Sequence, residues 1–236
     1  MTTIHTQQGS INMSNLMMKQ SLNANSTMSV KVFADRAAEL LGIEKPVANF
    51  FIRKMKEDGL IPMGSRGRPL RHKKELKSGA INIEHAAHIL LGFLGAETAF
   101  TAAEVARQAG ALPYTGLDAD PSAPPSTLLQ DLLMYLTAYV NYNDVQYGME
   151  IIVMSDARTK TPCYARLRFP CPLDDSVKEL LLHYGKPPAG SVTVRNGVAS
   201  HTVVRTLFAL FHEAKQRPPM TEKNSFVRNN LSAEIL

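Results

Sequence analysis

The chain has 236 residues, 44% of them hydrophobic and 20% charged, proportions that suit a globular protein with at least one buried core. Charged residues interrupt every apolar run before it reaches the roughly 18 residues needed to cross a bilayer, which argues against an integral membrane protein. The formal charge of +5 is unevenly placed, because residues 45–77 hold ten Lys or Arg against three carboxylates. Such a segment is the footprint of a polyanion-binding surface, or else a solvated basic loop without a partner.

Residues 1–29 are rich in Ser, Thr, Asn and Gln and lack the basic start and apolar stretch of an export signal, so they read as a disordered tail. Only Cys163 and Cys171 occur, which fits a reducing, cytoplasmic setting better than a disulfide scaffold. The stretch "FADRAAELL", residues 33–41, has helical spacing of apolar residues and stops at Gly42. A second helix over 44–58 follows, with Pro46 in its first turn and Gly59 at its end. At 100° per residue, Val47, Phe50, Phe51 and Met55 share the arc expected to face the core. Lys45, Asn49, Ile52, Arg53 and Lys56 fall on the opposite arc, and Lys54 is expected to snorkel from the buried side.

The run "GSRGRPLRHKK", residues 64–74, has five basic residues and no carboxylate, and its glycines and proline predict a loop or short hairpin. "NIEHAAHILLGFLGA" predicts a third helix capped by Asn82. "TAAEVARQAG" predicts a fourth, with Thr101 and Glu104 at capping-box spacing. Four prolines in residues 113–126 mark a linker. Beyond it, Thr127 and Gln130 introduce the apolar helix "LLQDLLMYLTAYV", and "MEIIVMS" with "CYARLRF" read as paired strands. "DDSVKELLLHYG" reads as a helix opened by Asp174 and Asp175. Asn196-Gly197 predicts the turn of a second hairpin, and "VRTLFALFHEA" a last helix. The expected class is α+β: a DNA-binding domain at 30–112, a linker at 113–126, a self-association domain with two hairpins at 127–216 and a loose tail at 217–236.

Around "AAELLGIEKPVANFF" the spacing of Ala38, Gly42 and Ile43 resembles the helix-turn-helix family, in which a small residue lets two helices cross, a glycine turns the chain and an apolar residue plugs the junction. The continuation "MKEDGLIPMGSRGRPLR" is similar to winged-helix and MerR-like regulators, where a recognition helix ends in a corner and enters a basic wing. The resemblance implies double-stranded DNA as partner, Lys45, Asn49, Arg53 and Lys56 as groove-facing residues, and Arg66, Arg68, Arg71, Lys73 and Lys74 as the wing. Within it, Arg53 and Asn49 have the donor geometry for guanine and adenine edges, and Lys45 and Lys56 suit phosphates. "RGRP", Arg66 to Pro69, also resembles the core of an AT-hook, an arm for a narrow minor groove.

Other signals carry less. His85 and His88 stand three apart without a third metal ligand, and neither a nucleotide-binding glycine pattern nor a hydrolase or metalloprotease motif occurs. No catalytic residue, metal or cofactor is expected. The sequence therefore points to a DNA-binding protein, a transcriptional regulator in layout similar to those of phages and prophages, acting as a homo-oligomer with a dimer favoured. Two alternatives stay open: a ring-forming packaging or replication accessory protein of the small-terminase kind, and an interaction protein whose basic surface meets an acidic partner.

Overall fold

The computed structural model describes residues 27–63, 80–116, 124–142, 148–170, 179–188 and 194–216. It is a mixed α and β protein with six α-helices and two antiparallel sheets among those residues. None of these helices is long and apolar enough to cross a membrane.

Strand β1 (Met28–Ser29) leads directly into α1 (Val30–Leu41), so the last residues of the expected tail already belong to the fold. Val30, Phe33, Ala34, Ala37 and Ala38 bury one stripe of α1 at three- and four-residue spacing. Gly42 ends the helix at φ 68°, ψ 26°, a left-handed conformation that glycine adopts without a Cβ penalty. The amide of Ile43 donates to the carbonyl of Ala38 at 2.8 Å, closing the corner. Helix α2 (Lys45–Glu57) follows, and β2 (Ala80–Ile81) pairs antiparallel with β1.

Helix α3 (Ile83–Gly95) is the centre of the molecule: every residue except Glu84 and His85 is buried. A helix apolar all round must be covered on all sides, and α3 packs on α1, α2, α4 (Ala102–Gly110), which follows a 3-10 turn, α5 (Leu128–Tyr142), and the larger sheet. That sheet comprises β3 (Glu150–Asp156), β4 (Pro162–Pro170), β5 (Glu179–Gly185) and β6 (Val194–Ala199) in the order β5-β4-β3-β6. Helix α6 (His201–Gln216) returns to α1, where Phe33 meets Phe208 and Phe211 with ring centroids 5.9 Å apart in each pair. All three rings are fully buried, and each contributes about 1.5–3 kcal/mol of burial.

Four sequence expectations give way here. The segment read as a helix opened by Asp174 and Asp175 is strand β5 from Glu179 on. Its residues pair one for one with β4, from Glu179↔Pro170 to Tyr184↔Ala165, and the buried Tyr184 decides the state that a run of leucines leaves open. Asp174, Asp175 and Cys171 lie outside the described residues. Asn196-Gly197 is no hairpin turn but the interior of β6, opposite Met154 and Val153. Glycine stands there because the backbone of α3 crosses it: a Cβ at 197 would lie 2.6 Å from the carbonyl carbon of Leu94 and closer still to its oxygen. Thr101 makes no side-chain cap to α4, its hydroxyl bonding instead to Thr98 in the preceding 3-10 turn. The expected linker does not separate two cores. Pro113 bridges Thr127, Tyr114 bridges Tyr184, and the buried cluster runs without a break from Met28 to Phe211. Helix α3 joins the two, packing on α1, α2 and α4 from one half and on α5, β3 and β6 from the other.

Two other expectations hold locally. Asn82 caps α3, accepting from the His85 amide at 2.9 Å, while His85 Nδ1 reaches back to the Asn82 amide. Thr127 and Gln130 form the reciprocal capping pair of α5.

Candidate nucleic-acid interface

The α1–α2 corner follows from three residue choices. Ala38 and Ala48 are both buried and small, which permits close helix crossing. Gly42 reverses the chain, and Ile43 packs against the core. Pro46 occupies the first turn of α2, where its missing amide proton costs nothing.

The buried stripe of α2 is Ala48, Phe51, Ile52 and Met55, rotated from the arc expected from composition. Ile52 is only 7% exposed, while Val47 is 43% exposed. Ala48 and Ile52 lie one turn apart on the same side of α2, so burying one brings the other inward with it. Lys45, Asn49 and Arg53 are all exposed and four residues apart, forming one row along the free side of α2, and Lys56 is half-buried beside it. Arg66, Arg68, Arg71, Lys73 and Lys74 lie outside the described residues.

Arg53 is held rather than free. Its guanidinium stands 4.7 Å from the centroid of Phe50, and its Nε is 3.6 Å from a carboxylate oxygen of Glu57. Phe50 in turn meets Phe100 edge-on at 5.2 Å. Lys54 donates to Glu57 at 2.6 Å and lies 5.1 Å from the centroid of Phe100, with its side chain 24% exposed, so its stem is covered and its head reaches out. The hydrogen bond from Lys54, aided by the charges of Lys54 and Arg53, holds the Glu57 carboxyl below its ordinary pKa. At the far end of α2, Arg107 of α4 donates to the carbonyl of Asp58 at 2.7 Å, fixing the helix terminus against the body. An apolar groove of about 420 Å³ runs beside α2, lined by Pro46, Val47, Phe50 and the turn through Phe100.

Sequence reasoning missed Phe50, Glu57, Phe100 and Arg107 as positioning residues. Glu57 was within reach, since it follows Arg53 by four residues and Lys54 by three. Phe100 and Arg107 were not, because they come from sequence positions about fifty residues away.

The described residues contain no cluster of three or more His, Cys, Asp or Glu that could hold a metal. Cys163 on β4 is half-buried, its thiol directed at the carbonyl of Met154 and its pKa raised mainly by desolvation, an inert setting. His88 is buried on α3, and desolvation lowers its pKa. Comparison with protein-family models, with curated proteins and with solved structures finds no match for this chain.

Proposed function

We propose that this chain is a sequence-dependent DNA-binding protein, a cytoplasmic transcriptional regulator of helix-turn-helix or winged-helix type that acts as a dimer. The observation that carries the reading is the row Lys45, Asn49 and Arg53 on the free side of α2, directly after the tight Gly42 corner. Helix α2 enters the major groove, with Arg53 and Asn49 at base edges and Lys45 and Lys56 beside phosphates. Phe50 and Glu57 restrict the rotamers of Arg53 before DNA arrives, which lowers the ordering cost of a bidentate contact. The basic run 64–74, with Arg66, Arg68, Arg71, Lys73 and Lys74, follows α2 in the chain and supplies the wing or minor-groove arm.

The test is a fluorescence-anisotropy titration against random duplex DNA at several salt concentrations, followed by selection of a preferred sequence. The wild type should lose affinity steeply with salt, and neutralising Arg66, Arg68 and Arg71 should make that slope shallower. Arg53→Ala should lose about 1–3 kcal/mol on the selected site and relax its preference there. Absence of binding at low salt, or equal loss on every sequence with Arg53→Ala, would overturn the assignment.

A further inference from the structure

The apolar groove beside α2 is open to water, although its lining is not polar. Buried Phe51 and Ala99 form its floor, and Val47, Phe50 and Phe100 its walls, the last from the 3-10 turn Ala99–Thr101. Phe100 is 68% exposed and Val47 43%. Single apolar side chains on a surface need no explanation, but these belong to one patch, since Phe50 meets Phe100 edge-on and both line the same volume of about 420 Å³. A concavity of that size, walled by aromatic rings, has the dimensions of a ligand site.

The rim supplies charge. Each of the two rings carries a cation: the Arg53 guanidinium stands 4.7 Å from the Phe50 centroid, and Lys54 Nζ 5.1 Å from that of Phe100. Both cations share the single carboxylate of Glu57, while Glu97, on the opposite wall, is paired with Lys160 at 2.9 Å. Three cations therefore meet two carboxylates around the groove, and through Arg53 the rim continues into the row with Asn49 and Lys45 along the free side of α2.

We propose that this groove takes an unstacked base of a single nucleic-acid strand, lying against the exposed ring of Phe100, with the flanking phosphates at Arg53 and Lys54. An aromatic side chain beside basic residues suits any strand, because every base has a π-face and every nucleotide a phosphate. A purely apolar peptide would fill the groove but leave the two cations unused. A base inside a duplex is covered on both faces by its neighbours and cannot enter. The proposal rests on the reading of the free side of α2 as a nucleic-acid surface, and it adds that the strand bound there is single or locally opened.

Fluorescence-anisotropy titrations of the full chain at one salt concentration, against a twenty-residue oligothymidylate and an abasic strand of equal length, test it. The two strands carry the same phosphates and differ only in their bases. The wild type should bind the oligothymidylate at least about tenfold more tightly. Phe100→Leu, apolar but without a π-face, should erase that preference, and Phe100→Trp should keep it. Circular dichroism establishes that each variant is folded, and the exposure of Phe100 leaves little of the core to disturb. Equal affinity for the two strands, with duplex binding intact, would overturn the groove as a base site and leave it to an apolar protein partner. A preference that survives Phe100→Leu would place the base contacts elsewhere and overturn it equally. A wild type that binds neither strand and no duplex would overturn both this proposal and the DNA-binding reading beneath it.

Discussion

Gly197→Ala is the sharpest probe of how the helical layer sits on the sheet. The new Cβ would lie 2.6 Å from the carbonyl carbon of Leu94 and 2.7 Å from its Cα, where carbon atoms normally stay about 3.5–4.0 Å apart. Both neighbours are backbone atoms, so no rotamer change relieves the overlap. Strand β6 and the end of α3 must separate by about 1 Å, and a gap of that size forfeits up to half of the dispersion energy across it. With the strain of overpacking, the cost is about 3 kcal/mol. In a protein of this size that lowers the Tm by about 6–12 °C. Gly42→Ala is the internal control. No atom lies within 4 Å of its Cβ position, and only the φ of 68° opposes it, for about 1 kcal/mol. Thermal unfolding followed by circular dichroism should rank the two in that order. A Gly197→Ala protein that melts with the wild type would refute the close approach of α3 to β6.

Two further outcomes follow from buried polar groups. Desolvation holds the His88 pKa below the ordinary 6.5, so below that pH the unfolded chain binds more protons than the folded one, and stability should fall as pH drops. His85 adds to the effect: its pKa is lowered in the same way, and Nδ1 cannot accept from the Asn82 amide once protonated. Comparing Tm at pH 7.5 and 5.5 for the wild type and His88→Leu checks this, with a smaller loss expected in the variant. Tyr184→Phe removes the hydrogen bond of a fully buried phenol to Asp131, 2.9 Å long, and should cost about 1.5–3 kcal/mol in urea unfolding. Ser126, which also donates to Asp131 at 2.7 Å, keeps the carboxylate partly satisfied, so a value near the lower end is expected.

The parts of this protein legible in the sequence are those governed by neighbours a few residues away. The Gly42 corner, the caps at Asn82 and Thr127, the Lys45-Asn49-Arg53 row and the strands β3 and β4 follow from local periodicity, turn chemistry and capping, which act within about one helical turn or one strand pair. What tertiary structure decided is everything set by contacts across the chain. Helix α2 buries the side that carries Ala48 and Ile52 and leaves Val47 43% exposed, a rotation that the bulk of its apolar residues does not give. Arg53 took its setting in part through Phe50, which rests on Phe100. Residues 179–185 form a strand because β4 offers them seven partners in register, although their composition suits a helix equally well. Gly197 sits inside a strand because a helix backbone crosses it, and no local rule could show that the crossing helix would be α3, more than a hundred residues earlier. Local sequence states which hydrogen bonds a segment can make with itself, but which face it buries depends on the surface it meets.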